Sequence, residues 1–209
     1  MSPVPQLLPE LLLPSLSDWR SWLAEHQDDD QGVRLVLAKK GAAAPTTLTY
    51  DEALLEALCY GWIDGQAGRR DEVSFFIRFT PRRARSLWSK RNVDYATRLI
   101  GEERMQPRGL AEVERAQADG RWAAAYSGPA GIEITAELSE ALAAEPEAQA
   151  AWGRLNGQNR YAILHRIETA VKPETRSRRV AQFVAMLARG ETPYPQQAPA
   201  GPHQPENSP

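Results

Sequence analysis

The sequence has little of the residue types that build disulfide frameworks and metal centres. Its 209 residues include one cysteine, Cys59, and three histidines, His26, His165 and His203. A single cysteine excludes a disulfide within the chain and predicts a reducing, cytoplasmic setting. Because the histidines show no metal-ligand spacing with one another or with Cys59, neither a zinc site nor any other cofactor is expected.

Long apolar runs and catalytic motifs are also missing. No stretch approaches the roughly 18 apolar residues that a transmembrane helix needs. The opening leucine run has no preceding basic residues and is interrupted by Pro5, Pro9 and Pro14, which argues against a secretory signal. Glycine-rich phosphate loops and the G-x-S-x-G nucleophile motif do not occur. A non-catalytic function is therefore favoured over an enzyme.

The charge that is present lies in blocks, although the formal net charge is only −2. Residues 69–91 carry eight cations and two acids, and residues 154–179 carry seven cations and two acids. Residues 132–150 carry five acids and no cation. Two interpretations remain open. The blocks pair with one another, within the chain or between subunits, or the basic blocks bind an external partner.

Residues 17–125 show the mixed helix and strand patterns of an α+β module. A helix is predicted after Thr49, whose spacing from Glu52 is that of a capping box. VSFFIRFT, residues 73–80, alternates like a strand and is expected to pair as an antiparallel hairpin with a strand near 60–64. The sequence therefore predicts a small antiparallel sheet with helices.

The remaining chain is predicted to hold an all-α C-terminal module at residues 132–190. The uncharged stretch AYSGPAGI, residues 125–132, is the expected boundary between the modules. Residues 1–16 form a Pro-rich N-terminal segment. The last residues, 191–209, are rich in proline and poor in large apolar side chains, so a tail that is disordered or packs only opportunistically is expected there.

The motif CYGWIDG raises two separate questions. Asp64 is followed by glycine, a pair that favours turns, so it either caps the hairpin turn or orients an arginine or a ligand. Cys59 has no histidine or other base nearby in the sequence. It is therefore predicted to be a buried residue at a helix–strand junction rather than a reactive thiol.

RFTPRRARSLWSK, residues 78–90, is the main candidate binding site. Its arginines flank a strand-ending proline, and a helix begins directly after them. Helix N–H groups and guanidinium donors together favour an anion, on which an aromatic ring can stack. The alternative is that the tryptophan is core, the serine only caps the helix, and the arginines pair with the acidic segment 132–150. The candidate residues are Asp64, Arg78, Arg82, Arg83, Arg85, Trp88, Ser89 and Lys90.

KPETRSRR, residues 172–179, forms a secondary basic cluster. Its cations, Lys172, Arg176, Arg178 and Arg179, fall at a predicted helix start. Cations at that position oppose the helix dipole unless an anion compensates. Glu174, a phosphate or acids from elsewhere in the chain are the candidate compensating groups.

Several long motifs resemble one bacterial family. LTYDEALLEALCYGWIDGQ and RFTPRRARSLWSKRNVDYATRLIGEERMQPRGLAEVERAQADGRW are similar to the YdeI/OmpD-associated, or bacteriocin-protection, family. ALAAEPEAQAAWGRL and KPETRSRRVAQFVAMLARG resemble its C-terminal helical module, so the resemblance covers roughly residues 17–190. The resemblance implies a stress or bacteriocin/antimicrobial-peptide protection role, and it identifies neither a reaction nor a ligand.

Together these observations favour a non-catalytic binding protein that contacts a protein partner or an anionic ligand through the Arg/Trp-rich stretch. One alternative is a nucleic-acid-binding protein that uses the basic clusters at 78–91 and 172–179. The other is an enzyme acting on a phosphorylated small molecule.

Overall fold

The computed structural model describes residues 8–42 and 44–196. The chain divides into an N-terminal unit, residues 1–125, and a C-terminal unit, residues 126–209. The described part of the N-terminal unit contains a sheet and helices, whereas the described part of the C-terminal unit contains helices only. The predicted α+β class is confirmed.

A four-stranded sheet in the order β1-β2-β4-β3 forms the centre of the N-terminal unit. Its strands are β1 (Glu10–Leu11), β2 (Val33–Ala38), β3 (Trp62–Arg69) and β4 (Ser74–Pro81). Strands β2 and β3 pair antiparallel with β4, but β1 pairs parallel with β2. The sheet is thus mixed rather than purely antiparallel. The sequence missed β1 because a two-residue strand is too short to show alternation.

The hairpin between β3 and β4 turns later in the chain than the sequence suggested. Strand β3 continues past Gly65 to Arg69, with a register shift between Asp64 and Ala67. Asp71 caps the turn, because its Oδ1 accepts hydrogen bonds from the backbone N–H groups of the second and third residues after it, at 2.9 and 2.7 Å. Capping of the turn by Asp64 is therefore ruled out: Asp64 lies within the strand.

The described part of the N-terminal unit also contains four helices, and local sequence signals open each of them. They are α1 (Leu16–Glu25), α2 (Tyr50–Cys59), α3 (Lys90–Gly101) and α4 (Pro107–Ala118). The predicted capping box of Thr49 and Glu52 is present at the start of α2. Ser15 and Ser89 cap α1 and α3 through their side-chain oxygens.

Three tryptophans, on α1, on β3 and in the loop before α3, are among the largest side chains in the core of this unit. Trp19, Trp62 and Trp88 are at most 2 % exposed. Trp19 also packs against Phe79 on the inner face of β4, with ring centroids 5.5 Å apart. Burying a large apolar side chain contributes roughly 1.5–3 kcal/mol, so these rings are major contributors to the stability of the unit.

Cys59 lies where α2 ends and the chain turns toward β3, and it is buried as predicted. Its carbonyl oxygen accepts the backbone N–H of Gln106 at 2.9 Å. A Cβ atom at Gly109 of α4 would lie 2.2 Å from that same oxygen. Glycine is therefore required at this position for the close approach of α4 to the end of α2.

In its described part, up to residue 196, the C-terminal unit packs four helices around an aliphatic core. The helices are α5 (Ala136–Ala143), α6 (Pro146–Gly153), α7 (Gly157–Glu168) and α8 (Pro173–Ala188). Leu138, Ile163 and Ile167 are completely buried in this core. Proline at the first position of α6 and α8 suits a helix start, because that N–H has no partner within the helix.

The segment after α8 is ordered where the structure describes it. Residues 191–196 lie against α7, and Asn159 holds the backbone at Tyr194 through hydrogen bonds of 3.1 and 2.8 Å. This first part of the predicted tail therefore packs on α7, where a buried amide supplies the hydrogen-bond partners that apolar side chains do not. The rest of the predicted tail, 197–209, lies outside the described residues.

Candidate functional site

Two arginines of the main candidate stretch, Arg78 and Arg83, line one cavity of about 250 Å³ in the N-terminal unit. We call it the arginine cavity. Arg78 lies on β4, and Arg83 follows the end of that strand. Both arginines are exposed. The full lining is Leu8, Pro9, Asp30, Gln31, Gly32, Arg78, Thr80, Pro81 and Arg83.

The loop before β2 supplies the opposite wall of the arginine cavity. Gly32 lies so close to the end of β4 that a Cβ atom there would be 2.4 Å from Thr80 Cγ2 and 2.5 Å from the Phe79 carbonyl oxygen. Such distances exclude a larger residue without movement of the loop. The glycine thus places the polar side chain of Gln31 beside the two arginines.

The position of Arg83 is fixed by a turn. Its backbone N–H donates to Ser86 Oγ at 3.0 Å, and its carbonyl oxygen accepts the Ser86 N–H at 2.9 Å. Arg121 Nη1 in turn donates to the Ser86 carbonyl oxygen at 2.7 Å. The backbone is therefore held in place while the Arg83 side chain remains exposed.

The charges at the arginine cavity are only partly compensated. In the described part of the N-terminal unit, neither Arg78 nor Arg83 forms an ion pair with a carboxylate, and Asp30 is the single acid in the lining. Arg34 on β2 lies directly opposite Arg78 in the strand register. The charge of Arg34 is offset within the unit, because its Nη2 lies 3.9 Å from a Glu10 carboxylate oxygen and its Nε donates to the Leu8 carbonyl oxygen at 2.9 Å.

The arginine between these two has a different environment. Arg82 is 5 % exposed, and its guanidinium carbon lies 3.5 Å from the ring centroid of Trp88. Its Nη1 also donates to the Leu87 carbonyl oxygen at 3.2 Å. Arg82 therefore packs into the unit and does not extend into solvent from the loop after β4. Trp88 is likewise buried, so its ring is not available for stacking on a ligand.

The other candidates of this stretch lie apart from the cavity lining. Ser89 caps α3 by accepting the Asn92 N–H at 3.2 Å, and Lys90 is the first residue of that helix. Arg85 is exposed in the turn after Arg83. Of the candidates in this stretch, two arginines line the cavity, one arginine is buried against the tryptophan, and Ser89 and Lys90 lie at the start of α3. Arg85 lies in the turn between them.

Asp64 belongs to a separate polar cluster. The Tyr50 hydroxyl donates to Asp64 Oδ2 at 2.7 Å and accepts from Arg91 Nη2 at 2.7 Å. Burial and the hydrogen bond to Asp64 raise the pKa of Tyr50 to about 12. Asp64 Oδ2 also lies 3.9 Å from Arg91 Nη2, so the three side chains form one polar cluster. Nothing in the sequence around Tyr50 and Arg91 indicated this contact.

The secondary basic cluster is partly used inside the C-terminal unit. Arg176 Nη2 donates to the Ala170 carbonyl oxygen at 3.3 Å, and Arg179 Nη1 donates to the carbonyl oxygen of Arg166. Backbone carbonyls near the C-terminal end of α7 therefore offset cations at the start of α8. Lys172 and Arg178 are exposed.

The lining residues Gln31, Gly32 and Thr80 were missed by sequence reasoning. The tripeptide DQG before a strand resembles an ordinary turn, and nothing in its composition indicates contact with a strand end about fifty residues later. The close approach of Gly32 to Thr80 is a long-range contact that only the structure reveals.

The described residues carry neither a membrane-spanning helix nor a metal-binding cluster. They include no helix long and apolar enough to cross a membrane. They also include no group of three or more histidine, cysteine, aspartate or glutamate side chains able to hold a metal ion.

Comparison with known proteins identifies two regions of the chain. Residues 131–190 match the family described as Bacteriocin-protection, YdeI or OmpD-Associated. The resemblance predicted from the sequence is thereby confirmed for these residues. Residues 11–112, which contain the arginine cavity apart from Leu8 and Pro9, match a separate family described as a domain of unknown function, DUF8412. No curated protein and no solved structure gave a significant match.

Proposed function

We propose that this protein is a non-catalytic binding protein that takes a small anionic ligand in the arginine cavity. The observation that carries the proposal is the convergence of Arg78 and Arg83 on one cavity without an ion pair in the described part of their unit. Guanidinium groups donate several hydrogen bonds in a planar fork that matches phosphate and carboxylate oxygens.

The lining supports a polar ligand rather than an apolar one. Thr80 and Gln31 add a hydroxyl and an amide to the two guanidinium groups. With Asp30 as the only acid, the charged residues of the lining sum to +1 (two arginines, one aspartate). A ligand with one or two negative charges and few apolar groups fits this composition.

The wider role follows from the family. The YdeI/OmpD-associated domain at residues 131–190 suggests a function associated with bacteriocin protection. In this proposal the C-terminal unit carries the function associated with bacteriocin protection, and the N-terminal unit binds the anion. A stress role beyond bacteriocin protection rests on the resemblance alone.

Nucleic-acid binding has less support. Three arginines of the two basic clusters, Arg82, Arg176 and Arg179, donate to backbone carbonyl oxygens. A phosphate backbone is bound by many exposed cations acting together, and affinity then falls steeply with salt. Because several arginines of these clusters are bonded within the protein, fewer exposed cations remain for a polyanion, and a small ligand is favoured.

Calorimetric titration with inorganic phosphate at low salt tests the proposal. We compare the natural protein with the double variant Arg78→Gln/Arg83→Gln. A matched control, Arg69→Gln/Arg85→Gln, removes the same charge from two exposed arginines outside this lining. Affinity is expected to fall at least about tenfold in the first variant, because hydrogen bonds to charged groups contribute about 1.5–3 kcal/mol.

The control variant is expected to bind phosphate within about threefold of the natural protein. Both variants are expected to unfold at nearly the same temperature, because exposed charges contribute roughly 0–1 kcal/mol. Equal weakening in the two variants would mean that binding follows net charge and not the cavity. Binding of an acidic peptide, with none of phosphate, would instead indicate a protein partner at this surface.

A further inference from the structure

A second cavity, of about 310 Å³, lies entirely in the C-terminal unit. We call it the tyrosine cavity. One face of α7 and a single residue from the segment after α8 form its walls. The lining is Gln158, Tyr161, Ala162, His165, Arg166 and Tyr194. It shares no residue with the arginine cavity, so it raises a separate question of function.

The wall formed by Tyr194 is held in place by a dedicated buried residue. Asn159 is completely buried, and its Nδ2 donates to the carbonyl oxygen of Tyr194 at 3.1 Å and to Gln196 Oε1 at 2.9 Å. Its Oδ1 accepts the Tyr194 N–H at 2.8 Å. Because a buried amide is costly unless it is fully hydrogen-bonded, this arrangement fixes the backbone of Tyr194 firmly against α7.

Two further aromatic rings, those of Tyr161 and His165, line the cavity. The ring of His165 lies 5.4 Å from that of Tyr161, and the edge of Tyr126 packs on His165 at 4.6 Å. Burial lowers the pKa of His165 below its usual value, so the imidazole is neutral at pH 7. Of the six lining residues, Arg166 is then the one that is charged at this pH.

Arg166 is oriented toward the aromatic wall. Its Nη2 lies 3.5 Å from the Tyr194 hydroxyl, and its guanidinium carbon lies 5.8 Å from the centroid of that ring. In the described part of the C-terminal unit it forms no ion pair with a carboxylate. A single cation beside exposed edges and faces of aromatic rings matches a ligand that has both a ring and a negative charge.

We propose that the tyrosine cavity binds a small aromatic anion, with its ring against Tyr161, His165 and Tyr194 and its anionic group at Arg166. The family match ends at residue 190. Tyr194 therefore adds a wall from outside the matched domain. The inference does not depend on the arginine cavity.

Nuclear magnetic resonance titration of the full chain tests this site with phenyl phosphate and benzoate as probes. Inorganic phosphate and benzyl alcohol serve as the charge-only and ring-only controls. Saturable shifts of α7 and Tyr194 signals are expected with both aromatic anions, at least about tenfold tighter than with either control. Failure of both aromatic anions to shift these signals would overturn the proposal.

Variants separate the ring contact from the charge contact. Arg166→Gln and Tyr194→Leu are each expected to weaken binding of phenyl phosphate at least about fivefold. Arg160→Gln, on the same helix but not part of this lining, is the matched control and is expected to bind as the natural protein does. Unchanged binding in Arg166→Gln would overturn the proposal even if Tyr194→Leu loosened the segment. The variant Arg78→Gln/Arg83→Gln is expected to bind phenyl phosphate at the tyrosine cavity as the natural protein does. A wrong proposal for the arginine cavity can therefore be told apart from a wrong proposal for the tyrosine cavity.

Discussion

The guanidinium of Arg82 lies over the ring of Trp88, 3.5 Å from its centroid, and both side chains are buried. The next residue, Arg83, is exposed and lines the arginine cavity. Two adjacent arginines therefore have different roles: the first stabilises the packing of the N-terminal unit, and the second is available to a ligand.

Substitution of each arginine by alanine is expected to separate these roles. Arg82→Ala removes a desolvated cation–π contact and a hydrogen bond, so the free energy of unfolding is expected to fall by about 2–3 kcal/mol. Arg83→Ala is expected to change it by less than about 0.5 kcal/mol. Chemical denaturation of the two variants measures the difference, and equal stability losses would contradict this division.

Two helical glycines form a second matched pair. Gly109→Ala would place a Cβ atom 2.2 Å from the Cys59 carbonyl oxygen, whereas no atom lies within 4 Å of a Cβ at Gly101. The first change is expected to destabilise the protein by about 1–3 kcal/mol through overpacking. Gly101→Ala is expected to be neutral or stabilising by up to about 1 kcal/mol. Thermal unfolding of both variants checks this, and a harmless Gly109→Ala would argue against the close packing of α2 and α4.

The hydroxyl of Tyr50 makes the stability of the fold depend on pH in the alkaline range. Burial and Asp64 raise its pKa from 10.0 to about 12, so the contribution to stability is complete below pH 10. It is then lost as the pH rises through about 12, because the phenolate cannot donate to the carboxylate. The variant Tyr50→Phe is expected to lack this loss.

Ultraviolet titration of phenolate formation measures the pKa directly. Subtraction of the Tyr50→Phe curve from that of the natural protein is expected to leave one transition with a midpoint near 12. A midpoint near 10 would show that Tyr50 titrates as a solvent-exposed tyrosine, and the Tyr50–Asp64 hydrogen bond would then be absent in solution.

Cys59 is expected to react slowly with thiol reagents in the folded protein. It is 1 % exposed, and burial raises its pKa from 9.0 to about 11. That shift alone lowers the thiolate fraction near neutral pH about hundredfold. Labelling followed by mass spectrometry is expected to show a rate at least about hundredfold lower than in denaturant. Rapid labelling of the folded chain would restore the interpretation of Cys59 as a nucleophile.

The features that the sequence predicted correctly are local ones. The capping box at Thr49 and Glu52 and the helix start directly after Ser89 each involve residues within one turn of a helix. Alternation over residues 73–80 was equally informative, because the inner face of β4 buries Ile77 and Phe79. Backbone geometry fixes these spacings before any tertiary contact forms.

The features that sequence analysis missed depend on contacts between distant residues. Arg82 looks like its neighbours in the sequence, and only the position of Trp88 decides that it is buried. The approach of Gly32 to Thr80 likewise depends on the pairing of β2 with β4. Charge composition therefore predicted an anion-binding stretch but did not identify which of its arginines face a common cavity.

The most direct test of the central claim is nuclear magnetic resonance titration of the full chain with inorganic phosphate. The account predicts saturable shifts of the backbone signals of Gln31, Gly32 and Thr80, which line the arginine cavity. Signals of Arg85 and Lys90, outside this lining, are expected to shift little. Shifts confined to Arg85, Lys90 and the start of α3, with none at Gly32 and Thr80, would contradict an anion site in the arginine cavity.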